Sequence, residues 1–280
     1  MATRSTAQPS TFIYDRWEEA LARHPDQKFV KRLLHGIKHG VPVGHNGTVP
    51  EFRCRNLPTN TKGKQFIAKY LLTEVKEGRM LGPFRTRDLW YGDRRVVCNP
   101  VGTVPKDVTG FRMITHFSYP RSGISVNSGI PHHEKTVHFP KLADVVRMIR
   151  KLGPGAFIWK TDWSSAYRQI LVREQDRWLL GLHLGDWTFV DCRLPFGLAS
   201  SAQRFSWYAR AFLWVLRSRF PHLFQQGQPV VLAHCIDYYN EPNSSVESLL
   251  DDFFGGAHSE KDAWAQLRAV GVGCFSGGAY

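Results

Sequence analysis

Three aspartates and one turn carry the chemistry that can be read from this chain. Asp162 ends the apolar run Ala156-Phe157-Ile158-Trp159-Lys160-Thr161-Asp162. Asp251 and Asp252 stand side by side ahead of Phe253-Phe254, and Leu194-Pro195-Phe196-Gly197 lies between the two acidic sites in the chain. Carboxylates are hard oxygen donors, and a few of them brought together hold divalent cations such as Mg²⁺. Two ions so held, beside a surface that aligns the reacting groups, are most of what nucleotidyl transfer asks of a protein. A single Asp at a strand end is ordinarily a turn or cap residue. The reading rests on the three together and on what surrounds them.

Elements must bring these residues together. The run 156–162 reads as a buried strand that delivers Asp162 to a sheet edge. Leu179–Leu184 and Trp187–Leu194 read as a hairpin around Gly185-Asp186, Ser200–Phe220 as a long aromatic-rich helix and Val230–Ile236 as a second apolar strand. Strand, helix-like stretch, hairpin, helix, strand approaches the split βαβ layout of a ferredoxin-like sheet. Upstream, Asp15–His24 reads as a short helix stopped by Pro25. Gly36, Gly40, Pro42 and Gly44 mark a loop. Lys64–Gly78 has a helical apolar period, and Arg94–Cys98 and Phe111–Phe117 have strand character. Lys141–Leu152 is an amphipathic helix closed by Gly153-Pro154-Gly155. The expected fold class is α+β. Its expected parts are an N-terminal extension (1–60), a basic region (61–155) and the carboxylate-bearing region (156–280).

The charge is distributed unevenly. Residues 1–160 carry 27 Lys/Arg against 12 Asp/Glu, whereas residues 161–280 carry 10 against 12. A basic half leading into a near-neutral half with the acidic motifs is what a polyanion clamp feeding a metal site would look like. The N-terminus is polar and lacks the apolar core of a secretory signal, and no apolar run reaches the 18 residues a membrane span needs. The cysteines (Cys54, Cys98, Cys192, Cys235, Cys274) number five and form no C-x-x-C pair, which points to reduced thiols inside a cell. His132-His133-Glu134 reads as a loop. Phe205, Trp207, Tyr208, Phe212 and Trp214 read as core rather than as a base-stacking platform, and Gly255-Gly256 and Gly277-Gly278 as turns.

These motifs resemble those of reverse transcriptases. Lys160-Thr161-Asp162-Trp163-Ser164-Ser165-Ala166-Tyr167 resembles the first carboxylate motif of the family, with an aromatic residue five places after the Asp. Leu194-Pro195-Phe196-Gly197-Leu198-Ala199-Ser200-Ser201-Ala202 resembles its template-gripping turn and helix start, and Asp251-Asp252-Phe253-Phe254 its Asp-Asp hairpin. Val104-Pro105-Lys106 and Phe111-Arg112-Met113-Ile114 resemble the fingers segment. Tyr167-Arg168-Gln169-Ile170, Leu194–Leu198 and His258-Ser259-Glu260 have the flavour of retroelements that encode a tyrosine recombinase (DIRS-like). The resemblance spans about residues 65–270. It implies a right-hand polymerase with fingers and palm, the palm an antiparallel ferredoxin-like sheet with helices on one face. It also implies two Mg²⁺ ions, with Mn²⁺ as a substitute, held by Asp162, Asp251 and Asp252. The implied partners are an RNA template, a DNA primer or duplex and dNTPs. Tyr167 would be the steric gate against a 2′-hydroxyl. Lys106 and Arg112 would neutralise the triphosphate. Phe196 and Gly197 would shape the pocket under the templating base.

The chain departs from the pattern at the Asp-Asp turn. Val230–Ile236 followed by Asp237 looks like the incoming strand and first Asp, and residues 238–251 then intervene; removing those 14 residues would restore Cys-Ile-Asp-Asp-Phe-Phe. Either an insertion splits the pair, making Asp237 its first member, or Ser248-Leu249-Leu250 replaces the strand end. The chain also stops before a thumb or ribonuclease H region, which a separate region or partner chain would supply. The expectations are therefore an intracellular RNA-directed DNA polymerase of a retrotransposon or, alternatively, an inactive remnant that only binds nucleic acid. An RNA-dependent RNA polymerase is the weaker third reading, since the aromatic Tyr167 argues against it.

Overall fold

The structure is a computed structural model, and it describes residues 9–47, 55–86, 88–106, 110–137, 142–224 and 252–273. The first helices are α1 (Tyr14–Leu21), α2 (Gln27–His39) and α3 (Thr61–Lys76). They are followed by the strands β1 (Met80–Phe84), β2 (Trp90–Tyr91), β3 (Arg94–Arg95), β4 (Cys98–Asn99), β5 (Val101–Lys106) and β6 (Gly110–Thr115). Then come α4 (His132–Lys135), α5 (Leu142–Leu152), β7 (Phe157–Asp162), β8 (Gly181–Leu184) and β9 (Trp187–Asp191). The described chain ends with α6 (Ser201–Arg219), α7 (Pro221–Phe224), β10 (Asp252–Ala257) and α8 (Glu260–Gly273). Two 3₁₀ segments, Ala166–Gln169 and Glu174–Leu180, lie between β7 and β8. Among the described residues no helix is long and apolar enough to cross a membrane.

The chain forms two compact units of interleaved segments. The first (1–10, 35–136 and 167–201) is built on a four-stranded sheet in the order β1-β9-β8-β4. β1 and β8 run antiparallel to β9, and β4 runs parallel to β8. The expected hairpin is β8–β9. Leu184 pairs with Trp187, and Gly185 takes the positive φ (62°) that the two-residue turn demands. Helix α3 starts where Asn60 Oδ1 accepts from Gly63 N at 2.8 Å, a side-chain N-cap. Its Ile67 and Leu71 join Met80, Val101, Leu182 and Phe189 in one buried cluster. β5 and β6 form a separate antiparallel hairpin.

The second unit (11–34, 137–166 and 202–280) is aromatic at its centre. Phe12 stacks on Tyr208 at 4.8 Å between ring centroids, and Trp163 lies 5.4 Å from both Phe205 and Phe212 and 5.7 Å from Phe253. Phe205, Trp207, Tyr208 and Phe212 are all buried, as their helical spacing predicts. β7 pairs antiparallel with β10.

Four expectations are corrected. Gly36 lies inside α2, because Phe29, Val30, Leu33, Leu34 and Ile37 form a buried apolar stripe and Asp26 Oδ1 caps the helix at Phe29 N (2.9 Å). The run 94–98 is not one strand: Val96 N donates to Leu89 O and so carries the β2–β3 register one pair further, but Val97 N turns to Trp178 O (both 2.8 Å), so the backbone leaves that ladder after Val96. Gly255-Gly256 sits within β10 rather than at a turn. A Cβ on Gly255 would lie 2.4 Å from the Trp159 ring, and one on Gly256 2.6 Å from Leu152, so the glycines answer close packing. His132-His133-Glu134 forms the short exposed helix α4 rather than a loop. The expected strand Val230–Ile236 and the 238–251 segment lie outside the described residues.

Candidate active site

The carboxylate site rests on the β7–β10 ribbon. Asp162 is the direct cross-strand partner of Asp252, and the register runs unbroken from there to Phe157↔Ala257. Directly opposed positions share one face of an antiparallel pair, with Cβ atoms roughly 4.5–5.5 Å apart. The neighbours of the two aspartates explain why the register holds. Trp163 and Phe253 follow them in sequence and are buried (8% and 2% exposed), with their rings in contact. Strand side chains alternate between faces, so burying Trp163 turns Asp162 outward. A slip by one residue would invert the arrangement. On the same covered face Trp159 Nε1 donates to Gln266 Oε1 of α8 at 2.7 Å.

Asp162 is exposed, as are Phe157, Ile158 and Lys160. The strand expected to be buried therefore has an open face at its Asp end. Asp251 and Asp237 both lie outside the described residues. Among the described residues no group of three or more His, Cys, Asp or Glu could by itself hold a metal ion. The described part of the site is the opposed pair Asp162–Asp252.

The first unit places Tyr167, Phe196 and Gly197 together. The Tyr167 and Phe196 rings lie 5.0 Å apart at 36°. Tyr167 is buried (5% exposed), whereas Phe196 is 37% exposed in a turn whose other side chains, Leu194, Pro195 and Leu198, are buried. The turn is held at several points. Gly197 adopts φ 84°, a conformation costly for any side-chain-bearing residue. Ser201 Oγ donates to Pro195 O (2.7 Å), and Ser200 Oγ donates to Val43 O (2.6 Å). The buried Tyr167 and the exposed Phe196 thus form a two-ring wall.

Lys106 and Arg112 occupy one face of the β5–β6 hairpin. Arg112 opposes Val104 and Gly110 opposes Lys106, so the two basic residues are diagonal neighbours, roughly 7–8 Å apart in such a register. All of Val104, Lys106 and Arg112 are exposed. The other face packs on α3: Phe111 meets Phe66 (5.9 Å), and Val101 and Met113 join the Ile67–Leu71 cluster. A Cβ on Gly63 of α3 would fall 2.7 Å from Thr103 Oγ1. Helix α3 thus covers one side of the hairpin and leaves the basic side to solvent.

Sequence reasoning missed the residue that anchors Tyr167. Arg168 is buried and donates to Glu74 Oε2 (Nε 3.0 Å, Nη2 2.6 Å) and to Asp191 Oδ2 (Nη1 2.6 Å). Glu74 also receives Arg79 (2.9 and 2.6 Å), and Asp191 Oδ1 accepts from Arg193 N (3.0 Å). Helix α3, the 3₁₀ turn bearing Tyr167 and strand β9 are therefore joined by charge. Burial opposes ionisation of Glu74, but Arg79 and Arg168 outweigh it and hold its carboxyl below the usual value. Burial likewise works against charge on Arg168, and Asp191 and Glu74 more than offset it, so the guanidinium stays protonated. Burial raises Asp191 despite Arg168. The signal available in sequence was a mid-helix Glu74 on the same helical face as Ile67 and Leu71, where a lone acid demands a partner.

No family model and no curated protein matches the chain. Solved structures do. A foamy viral protease–reverse transcriptase in complex with dsDNA matches with TM-score 0.53 and 16% identity over 96% of this chain and 51% of that one. A dRH form of it with dsDNA gives TM-score 0.54 and 16% identity over 91% and 40%. The same protein with an RNA/DNA hybrid gives 0.55 and 14% over 96% and 33%. This chain thus spans 33–51% of the length of those proteins. At such identities the likeness is one of fold: the chain is a mixed α+β protein with a reverse-transcriptase-like fold.

Proposed function

We propose that the chain catalyses template-directed nucleotidyl transfer as the fingers and palm of an RNA-directed DNA polymerase, from a retroelement of the DIRS-like, tyrosine-recombinase type. The observation that carries the reading is the Asp162–Asp252 register on β7 and β10. The two-stranded β7–β10 ribbon would be the catalytic part of a ferredoxin-like palm. Asp162 and Asp252, with Asp251 or Asp237, would hold two Mg²⁺ ions. Mg²⁺ bound there supplies Lewis acidity toward the primer 3′-hydroxyl and the triphosphate oxygens.

The remaining roles fall to side chains. Lys106 and Arg112 would neutralise triphosphate charge by charge-assisted hydrogen bonds. The Tyr167–Phe196 wall would exclude a 2′-hydroxyl and seat the templating base, with Gly197 permitting close approach. RNA template, DNA primer and dNTPs are the implied partners, and a thumb and ribonuclease H region would come from elsewhere in a longer protein or from a partner chain. The setting would be intracellular, nuclear or cytoplasmic.

The test is Mg²⁺-dependent primer extension on an RNA template by three proteins: the chain as it stands, the chain lacking residues 238–251, and that deletion carrying Asp162→Asn. Extension by the full chain makes 238–251 a tolerated loop. Extension by the deletion alone, abolished by Asp162→Asn, makes it an inactivating insertion. If none extends a primer, the polymerase reading fails for this chain and nucleic-acid binding through its basic half is what remains. A salt titration of binding measures that half separately.

A further inference from the structure

The turn that presents Phe196 is held by a residue from a distant loop, Asn127. Its Nδ2 donates to Gly197 O and to Ser118 Oγ, both at 2.9 Å, and its Oδ1 accepts from Ala199 N at 2.8 Å. Both amide hydrogens are donated, and the amide oxygen accepts one bond. Its orientation follows from its partners, since a backbone N–H must face the oxygen and a carbonyl must face the nitrogen. No other side chain of similar size matches both: Asp would turn a carboxylate oxygen on the Gly197 carbonyl, and Leu would leave both backbone groups without a partner.

The loop that carries Asn127 is itself fixed. Phe117, Val126 and Ile130 are each 1% exposed, and Ser125 is 3% exposed. Ser125 and Ser128 bond each other reciprocally, Ser125 N to Ser128 Oγ (2.7 Å) and Ser128 N to Ser125 Oγ (3.1 Å), and Asn127 N donates to Phe117 O (3.0 Å). A rigid loop thus clamps Gly197 and Ala199 on the C-terminal side of Phe196. The exposed Phe196 ring is the free end of the turn so held, and it stands against Tyr167.

We infer that Asn127 is a positioning residue for the nucleotide pocket: it sets the Phe196–Gly197 turn, and through it the separation of the two-ring wall that distinguishes deoxyribo- from ribonucleotides. The inference rests on the polymerase reading above. Asn127 touches neither nucleotide nor metal and acts through the turn alone.

The test uses the full chain with a dideoxy-terminated primer on an RNA template and Ca²⁺ in place of Mg²⁺, so that binding is read without turnover. The probe is the templated dNTP against its ribonucleotide counterpart. Asn127→Ala lowers the dNTP/rNTP affinity ratio about tenfold, and Asn127→Asp lowers it too. Hydrogen exchange at the Ala199 amide separates the two variants: it rises about tenfold or more in Asn127→Ala and stays near the unmutated rate in Asn127→Asp, which keeps the acceptor. Asn99→Ala is the control, because Asn99 is buried and donates to Leu179 O and Gly181 O in the same unit but makes no bond to the turn. A ratio unchanged in Asn127→Ala, or lowered equally in Asn99→Ala at the same loss of melting temperature, would show a merely structural residue and overturn the inference. If the unmutated chain binds no dNTP, the polymerase reading falls and this inference falls with it, a result that the unmutated chain alone reveals.

Discussion

Arg168→Met removes the charge at the centre of the first unit while keeping an apolar stem. Arg168 gives up three carboxylate bonds in that change, two to Glu74 and one to Asp191. The two acids fare differently. Glu74 keeps its two bonds from Arg79. Asp191, 2% exposed, keeps the bond from the backbone N–H of Arg193. Removing one partner of a buried pair costs about 3–5 kcal/mol, because the other charge stays buried. For a chain of this size that lowers the melting temperature by roughly 6–20 °C. The assay is urea unfolding followed by tryptophan fluorescence, with the double variant Arg168→Met/Asp191→Asn beside it. Removing the stranded charge recovers a substantial part of the loss, about 1–3 kcal/mol.

The pH dependence of that experiment has a definite sign. Burial already holds Asp191 above its ordinary value of 3.8, and loss of Arg168 raises it further. The folded variant then binds a proton that the unfolded chain releases, so its deficit shrinks as pH falls toward 5 and grows toward 8. In the unmutated chain Glu74 works the other way. Held below its ordinary 4.5, it contributes stability above that value and loses it as pH falls through the lowered one. A loss under about 1 kcal/mol in Arg168→Met, or no recovery in the double variant, would refute the claim that this network carries the Tyr167 turn.

Burial pushes the thiols of Cys98 and Cys192 up to about 11 from 9.0. Both stay unmodified by iodoacetamide at pH 8 in the native chain, and stability falls between pH 9 and 11 by roughly 2–3 kcal/mol per thiol, because the unfolded thiol ionises first. Trp163→Ala costs about 3–5 kcal/mol by opening a cavity among Phe205, Phe212 and Phe253, read by denaturant unfolding, and it lowers extension more than an equally destabilising change elsewhere because it frees the Asp162 register. Lys106→Gln/Arg112→Gln raises the KM for dNTP about tenfold or more with a smaller change in kcat, measured by steady-state extension. Tyr167→Ala raises ribonucleotide incorporation in whichever chain extends a primer; an unchanged incorporation ratio would remove Tyr167 from the gate.

What was legible in the sequence followed from local rules. The helical stripe Ile67–Leu71 and the Gly185-Asp186 turn are encoded by residues near one another, and so is the exit of the apolar run at Asp162. The structure shows each within a residue or two of its expected place. The misses were non-local. Gly255-Gly256 looks like a turn until Trp159 and Leu152 are seen above the missing side chains. Arg94–Cys98 looks like one strand until Trp178 claims the Val97 amide. A single sequence gives no means of learning which distant side chain fills a space or accepts a bond.

The same distinction divides the candidate site. Residues that would touch substrate lie in recognisable local motifs, so Asp162 could be named from its type and its place at a strand end, and Lys106, Arg112 and Phe196 from the motifs that resemble those of reverse transcriptases. Residues that hold them in place are typed by their neighbours. Arg168 is an unremarked basic residue after Tyr167 until Glu74 and Asp191 close on it from 94 and 23 residues away, and Asn127 is one loop asparagine among several until Gly197 and Ala199 meet its amide across 70 and 72 residues. Replacing Arg168 by an apolar group would leave the buried Glu74 and Asp191 behind, and replacing Asn127 would leave two backbone groups of the turn without their side-chain partner, which is costly. Trp163 does for Asp162 what these do for Tyr167 and Phe196: each chemically suggestive residue adjoins one whose only task is to be immobile. Within each unit the supporting residues set where the carboxylate or the rings stand, and they become visible only when distant parts of the chain are seen side by side.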